Sequence, residues 1–135
     1  MVKYFKKYNT KVPSWQDILN NLDWSVHNGD KVKQNDFGFF VTHRADLIKE
    51  SQPIFKEFEA VEAHLYLNIF TKAPTYAPHK DDVEVIFWQC QGTTKWLIEN
   101  KDEYILKPGD LIIVPKGVLH KVYALTPRAG ISFSK

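Results

Sequence analysis

The stretch LKPGDLIIVPKGVLH, residues 106–120, decides the fold of this chain. Its apolar run, Leu111–Val114, lies between Gly109 and the turn Pro115-Lys116-Gly117, and a histidine follows at His120. Glycine and proline are the strongest local signals for turns. The stretch therefore predicts a short strand between two tight turns in a small β-barrel, with His120 at the start of the next strand.

A second motif, His79-Lys80-Asp81, lies earlier in the chain. Side chains at positions i and i+2 of an extended strand point to the same face, so this histidine and aspartate can bind one metal ion. Two imidazoles and one carboxylate form the facial triad of non-haem Fe(II) sites, which leaves other coordination positions open. We predict that His79, Asp81 and His120 are the metal ligands and the catalytic centre.

The hydrophobic pattern from residue 62 onward has a period of two and is interrupted by turn residues. Many short strands with regular turns are typical of a sandwich or a barrel. The predicted strands cover residues 64–70, 84–89, 94–98, 103–106, 111–114, 121–124 and 129–133.

The N-terminal part, residues 1–61, reads as mixed α/β. Ser14 is a good N-cap for a first helix, and Asn28-Gly29 predicts a hairpin turn between residues 24–27 and 30–32. Residues 37–41 resemble a buried strand. Two short helical pieces are expected at 45–50 and 53–58, packed on one outer face of the barrel.

Composition limits the class of protein. The chain has 135 residues, which predicts one domain, and 44% of them are hydrophobic, enough for a core. The net charge is +2, and the basic residues are scattered along the chain. We interpret the densest basic run, Lys3–Lys11, as a solvated N-terminal arm, so we expect no nucleic-acid or membrane partner. A single Cys90 excludes an internal disulfide and fits a reducing compartment. Without a long apolar stretch, the expectation is a soluble, cytoplasmic protein.

Residues 62–135 resemble the cupin superfamily and, within it, the JmjC-type 2-oxoglutarate/Fe(II) oxygenases, most closely the ribosomal oxygenases, which hydroxylate ribosomal proteins. The first two metal ligands of that family lie in a similar context, and its distal histidine follows a similar Gly/Pro/Gly/His string. The matching segments are 63–68, 78–85, 89–92 with Trp96, and 106–120.

The resemblance implies a mainly β fold, a double-stranded β-helix of the cupin or jelly-roll type with a small N-terminal α/β segment. It implies a single cupin-like oxygenase domain over residues 1–135, in which 1–61 support a core formed by 62–135. The implied cofactors are Fe(II) and 2-oxoglutarate as co-substrate. The implied reaction uses O2 to hydroxylate a C–H bond of a protein, peptide or small molecule and releases succinate and CO2. A homodimer is plausible by analogy.

The far carboxylate of 2-oxoglutarate needs a buried Lys or Arg, because an isolated carboxylate in a dry barrel is costly. The basic residue of the family falls, in register, on Thr94, with Lys95 next to it. A two-residue loop at Gln91-Gly92 would pair Gln89 with Thr94 and turn Lys95 outward beside Trp88.

A three-residue loop at 90–92 would instead turn Lys95 inward. If Thr94 faces inward, Arg128, just before the last strand, is the best replacement anchor, and such a placement occurs among 2-oxoglutarate oxygenases. The other candidate hydrogen-bond donors to the co-substrate are Tyr76, Ser132 and Ser134.

Two other readings stay open. The first is a metal-binding cupin that does not use 2-oxoglutarate: an isomerase, another dioxygenase or a ligand-binding module. Such cupins usually add a Glu ligand, and no Glu stands at the usual spacing after Asp81. The second is a non-catalytic interaction module with a vestigial site.

Overall fold

The computed structural model describes residues 1–35, 37–71 and 75–135, and the strands in these ranges form two antiparallel sheets. The larger sheet has the order β1-β8-β5-β10-β4-β3-β2, and the smaller has the order β7-β6-β9. The strands are β1 (Lys3–Phe5), β2 (Lys33–Gln34), β3 (Phe39–Thr42), β4 (Glu62–Asn68), β5 (Val85–Gln91), β6 (Thr94–Ile98), β7 (Asp102–Leu106), β8 (Leu111–Val114), β9 (His120–Ala124) and β10 (Arg128–Ser134).

The strands predicted downstream of residue 62 are all present, with shifts of up to two residues at their ends. The mainly β, double-stranded β-helix class expected from the sequence is confirmed. The two sheets pack face to face through one apolar cluster, to which the larger sheet contributes Phe87, Ile112 and Val114 and the smaller contributes Trp96 and Leu106.

The helical segment lies on the outer face of the larger sheet, as predicted. It consists of α1 (Trp15–His27), α2 (Gln52–Glu57) and two 3-10 turns over residues 45–47 and 49–51. The Ser14 hydroxyl caps α1 by accepting a hydrogen bond from the backbone N–H of Asp17. A core of buried residues joins this layer to the sheet, with Ile18, Ile48 and Ile54 against Leu65 and Leu67 among others. No helix in the described part of the chain is long and apolar enough to span a membrane.

The hairpin predicted around Asn28-Gly29 is wrong. The helix α1 continues to His27, and Asn28 ends it by donating its backbone N–H to the carbonyl of Trp24. Gly29 follows with a φ of 74°, the left-handed backbone that commonly stops a helix. The spacing of the buried residues Ile18, Asn21 and Ser25 is helical, and this packing overrides the local turn signal.

The basic N-terminal run is only partly a solvated arm, since β1 lies at the edge of the larger sheet and pairs with β8. The hydroxyl of Tyr4 donates to the carboxylate of Asp110, which also accepts the backbone N–H groups of Lys7 and Lys107. Strands β2 and β3 extend the same sheet at its other edge. Residues 1–61 therefore contribute strands as well as supporting helices.

The expected pairing of residues 84–89 with 94–98 is also wrong, because β5 and β6 belong to different sheets. The connection crosses from one sheet to the other at Gly92, which has a φ of 71°. A Cβ atom at Gly92 would lie 2.0 Å from the carbonyl oxygen of Pro127 and 2.8 Å from the Cα of Arg128. This glycine lets the crossing backbone pack directly against the beginning of β10.

Alternation along β4 separates the outer face of the larger sheet from its inner face. Ala63, Leu65 and Leu67 belong to the core beneath the helices. Tyr66 and Asn68 therefore face the space between the two sheets. On the neighbouring strand, Asn68 is in register with Arg128.

Candidate metal centre

The three predicted metal ligands lie together at the mouth of a cavity between the two sheets. One ligand atom from each of His79, Asp81 and His120 lies within 4.8 Å of the other two. The Oδ2 atom of Asp81 is 3.2 Å from Nε2 of His120 and 3.6 Å from Nε2 of His79. His120 is buried, whereas His79 and Asp81 are about one-third exposed in their side chains, so the group is reached from one side.

Backbone hydrogen bonds between the two motifs explain how the ligands meet. His79 and His120 exchange reciprocal N–H···O=C bonds of 3.0 and 2.9 Å, an isolated antiparallel bridge. Gly117, which has a φ of 80°, donates its N–H to the carbonyl oxygen of Asp81 over 3.0 Å. The Pro115-x-Gly117 turn thus fixes the position of the aspartate as well as the strand that carries His120.

The hydrogen bonds of the two imidazoles define their tautomers. Nδ1 of His79 donates to the carbonyl of Ala77 over 2.8 Å, and Nδ1 of His120 donates to that of Val118 over 3.0 Å. A neutral imidazole that donates through Nδ1 keeps a lone pair on Nε2. Both lone pairs are therefore on the nitrogens nearest to Asp81, and backbone carbonyls orient the rings as in known metal sites.

The cavity next to these ligands has a volume of about 490 Å³. Several aromatic side chains line it, among them Phe39, Tyr66, Phe87 and Trp96. The Trp96 ring stacks on the imidazole of His120, with an interplanar angle of 19° and 5.7 Å between centroids.

Arg128 also lines this cavity and is 2% exposed. Its Nε–H donates to Oδ1 of Asn68 over 2.6 Å, and its guanidinium carbon lies 5.9 Å from the ring centroid of Phe39 and 6.0 Å from that of Phe87. Nη1 has no hydrogen-bond partner among the described residues. Burial lowers the pKa of Arg128 to about 10, so the side chain remains a cation at neutral pH. The cavity therefore contains a buried positive charge with unused donor capacity.

Two tyrosines, Tyr66 and Tyr76, line the same cavity as this cation and the metal ligands. Burial, followed by electrostatic interactions with Tyr76 and Asp81, raises the pKa of Tyr66 to about 12, and Arg128 only partly offsets this. The Tyr66 phenol therefore stays protonated at neutral pH and can donate. Tyr76, predicted from the sequence, lines the cavity with its ring 6.0 Å from that of His79. Lys121 donates to the Tyr76 carbonyl over 2.7 Å, which attaches this segment to β9.

Thr94 and Lys95, predicted as co-substrate-binding residues, are not among the residues that line the cavity. Thr94 is buried, but its hydroxyl donates to Oε1 of Gln89 over 2.9 Å. Lys95 faces outward, 3.8 Å from a carboxylate oxygen of Glu103 and 4.7 Å from the ring centroid of Tyr123. Thr94, Trp96 and Ile98 are the buried positions of β6, so Lys95 lies on the opposite, outer face of the strand. Its expected position beside Trp88 is also wrong, because β6 pairs with β7 and β9 and not with β5.

The two serines predicted as hydrogen-bond donors to the co-substrate lie in different places. Ser132 is among the cavity-lining residues, and Ser134, at the end of β10, is not. Sequence reasoning missed Tyr66, Phe39 and Lys33, which also line the cavity. The alternation of β4 would have identified Tyr66, whereas Phe39 and Lys33 reach the cavity only because their strands join the larger sheet.

The donor atoms fit a divalent transition metal. Two neutral imidazoles and one carboxylate on one side are the ligands that hold non-haem iron and related ions. The aspartate would contribute one negative charge to a dication, so a site with these ligands keeps a net positive charge and attracts an anion. The arrangement can bind a metal together with an anionic small molecule inside the cavity.

Comparisons with known proteins agree with this architecture. The family model for the AraC-like ligand binding domain matches residues 69–132. Ribosomal oxygenase 2 of Mus musculus is 35% identical to this chain over 42% of the chain and 16% of its own length.

Among solved structures, the ribosomal oxygenase YcfD from Escherichia coli superposes with a TM-score of 0.77, 16% identity, and coverage of 99% of this chain and 48% of that chain. YcfD in complex with cobalt and 2-oxoglutarate gives a TM-score of 0.75 at 16% identity, over 100% of this chain and 48% of that chain. The chain thus spans about half the length of these structures and a smaller part of the mouse relative. The chain shares the double-stranded β-helix fold of these structures, and in sequence it resembles part of a ribosomal oxygenase.

Proposed function

We propose that this protein is an Fe(II)- and 2-oxoglutarate-dependent oxygenase that hydroxylates a C–H bond of a protein, peptide or small-molecule substrate. The observation that carries the proposal is one cavity that has a His/Asp/His ligand group at its mouth and the buried cation Arg128 in its wall. The two features match the two ends of a 2-oxo dicarboxylate. The similarity to ribosomal oxygenases supports the same class of reaction.

His79, Asp81 and His120 would hold the metal through Nε2, a carboxylate oxygen and Nε2. Their role is to keep neutral imidazoles and one carboxylate on one side of the ion, so that an anionic ligand can occupy the other side. Fe(II) bound with 2-oxoglutarate and O2 supplies the oxidising chemistry, in which a substrate C–H bond is hydroxylated and succinate and CO2 are released.

Arg128 would bind the far carboxylate of the co-substrate. A guanidinium can donate two parallel hydrogen bonds to a carboxylate, and Nη1 is without a partner among the described residues. Tyr66 and Ser132, which line the same cavity, have hydroxyl groups that can donate as well. These donors lie beside the aromatic side chains of the cavity wall, where a charge-assisted hydrogen bond is stronger than in solvent.

The same walls restrict how a substrate approaches. Trp96 lies parallel to His120 and limits the movement of that ligand ring. The tilted contact of Phe87 with Trp96, 5.0 Å between centroids, continues the apolar wall toward Arg128. Gly130 makes this possible, because a Cβ there would lie 2.2 Å from the Phe87 ring. The substrate would therefore enter past the exposed side of His79 and Asp81.

The alternative proposal is a metal-binding cupin that does not use 2-oxoglutarate. It is favoured by one observation: the position where the family has its basic residue is Thr94, which is hydrogen-bonded to Gln89 instead of facing the cavity. The two proposals differ in whether Arg128 binds a ligand carboxylate.

A calorimetric titration of 2-oxoglutarate into anaerobic protein loaded with Mn(II), as a redox-inert substitute for Fe(II), tests the proposal. We expect metal-dependent binding that His79→Ala abolishes, because two protein ligands cannot complete the facial group. The matched control is His27→Ala, since His27 is exposed at the end of α1, away from the cavity. Formation of succinate by the Fe(II)-loaded protein is the second readout.

Metal binding with no detectable uptake of 2-oxoglutarate would contradict the proposal and favour the other cupin. Equal metal binding by His79→Ala and by the wild-type protein would contradict the ligand assignment itself. Loss of binding in the His27→Ala control would show that the effect is not specific to the cavity.

A further inference from the structure

Arg128 is a buried charge that has no carboxylate partner in the part of the chain that the structure describes. Among the described residues, no Asp or Glu forms an ion pair with it, and its guanidinium lies over the rings of Phe39 and Phe87. A buried cation normally has an anionic partner, because removing a charge from water is costly. The contact that does hold Arg128 is the side-chain amide of Asn68.

We infer that Asn68 is a positioning residue that orients the guanidinium of Arg128 toward the cavity and, because its side chain is an uncharged amide, leaves the charge of Arg128 available to a ligand carboxylate. This inference deepens the proposed function and rests on it. It makes Asn68 a determinant of specificity for carboxylate ligands, although Asn68 is not itself among the cavity-lining residues.

The sheet register fixes this relationship. Asn68, the last residue of β4, and Arg128, the first of β10, are directly opposite each other in the antiparallel pair. Both are fully or almost fully buried. The amide oxygen takes the Nε–H of Arg128, so the far end of the guanidinium is directed away from Asn68. The amide of Asn68 therefore fixes the orientation of the guanidinium without neutralising its charge.

An aspartate at this position would have nearly the same shape and the opposite effect. Its carboxylate could form an internal ion pair with Arg128, and the buried charge would be compensated without any ligand. A co-substrate carboxylate would then have to compete with a permanent intramolecular partner. The choice of amide over acid thus keeps the cavity cationic.

The test compares Asn68→Asp and Asn68→Ala with the wild-type protein, all loaded with Mn(II). Three quantities are measured: the affinity for 2-oxoglutarate by calorimetry, the affinity for Mn(II), and the melting temperature without co-substrate. We expect Asn68→Asp to weaken 2-oxoglutarate binding by at least about tenfold, with Mn(II) affinity unchanged and the melting temperature raised. Asn68→Ala should weaken 2-oxoglutarate binding and lower the melting temperature, since the Arg128 Nε–H loses its acceptor.

In Asn68→Asp, weaker 2-oxoglutarate binding together with a higher melting temperature would distinguish a positioning role from a structural one, because a packing defect lowers both stability and binding. Wild-type affinity for 2-oxoglutarate in Asn68→Asp would overturn the inference, and so would loss of binding together with a lowered melting temperature. Failure of the wild-type protein itself to bind 2-oxoglutarate would overturn the proposed function. Failure of the inference on Asn68 would appear only in the variants, so the two failures are distinguishable.

Discussion

At the scale of single residues, the contrast between Lys95 and Arg128 decides where a co-substrate can be anchored. Lys95 is one residue away from the family position, but it lies on the outer side of β6 with Glu103 and Tyr123. Arg128 is far from that position in sequence and nevertheless lines the cavity. Whether a side chain reaches the cavity depends here on the face of the strand that it occupies, and not on its distance in sequence from a motif.

We predict that Arg128→Met greatly weakens 2-oxoglutarate binding while leaving metal binding intact. Hydrogen bonds to a charged group contribute about 1.5–3 kcal/mol, which corresponds to roughly 10- to 150-fold in affinity. The free energy of unfolding should not fall, because methionine removes a buried charge that has no ion-pair partner among the described residues. Calorimetry and urea unfolding measure the two effects.

The matched control is Arg44→Met, since Arg44 is at the surface in an ion pair with Asp46. It should leave 2-oxoglutarate binding unchanged. Undiminished affinity in Arg128→Met would instead mean that another cation binds the co-substrate.

At the scale of elements, the crossing between β5 and β6 is the connection on which the cavity depends. We predict that Gly92→Ala is strongly destabilising and also weakens co-substrate binding, because the new Cβ would meet Pro127 and displace the start of β10, where Arg128 lies. Gly29→Ala is the control, because it has a similar φ, 74° against 71°, but its Cβ would meet nothing within 4 Å. Gly29→Ala should lower the free energy of unfolding by about 1–2 kcal/mol, because alanine must adopt the left-handed backbone conformation there.

The two variants are compared by urea unfolding and by calorimetry. The additional loss of unfolding free energy in Gly92→Ala, compared with Gly29→Ala, measures the cost of the steric contact with Pro127. Equal losses would mean that the contact with Pro127 is relieved without cost.

The elements also show which parts of the structure the sequence could predict. The strands after residue 62 follow from alternation and turn residues, and the ligand residues follow from their types and spacing. The pairing of the strands did not follow from the sequence, because a short loop such as residues 92–93 can close a hairpin or cross between sheets. The true end of α1 was also hidden, since Asn28-Gly29 serves equally as a helix stop and as a hairpin turn. The choice of the proposed co-substrate anchor depends on this pairing, so the sequence alone left Lys95 and Arg128 as alternatives.

At the scale of the whole molecule, acid should destabilise the fold through His64, which lies on β4. Burial, followed by the proximity of His43, lowers the pKa of His64, and the nearby Glu62 only partly offsets this. The two rings are 4.5 Å apart between centroids. With a folded-state pKa below the unfolded value of about 6.5, the unfolded chain binds protons more readily, so stability is lost as the pH falls below that value.

We predict that the wild-type protein, kept metal-free with a chelator, loses more unfolding free energy than His64→Gln between about pH 7.5 and pH 5.5, the range that spans the ordinary histidine pKa. Urea unfolding at the two pH values measures the difference. The exposed His27 provides the control variant, His27→Gln, which should behave as the wild type. Identical losses for the wild-type protein and His64→Gln would contradict the prediction.

The bridge between His79 and His120 has a mechanical consequence. His79 and Asp81 precede β5 of the larger sheet, whereas His120 begins β9 of the smaller sheet. A metal ion held by all three would be a non-covalent cross-link between the sheets, placed where they must separate for the barrel to open. Such a cross-link joins parts of the chain that are distant in sequence, and contacts of this kind tend to form late in folding, so it should slow unfolding more than it speeds folding. The lifetime of the closed barrel would then depend on metal occupancy, even though hydrogen bonds hold the ligands together without it.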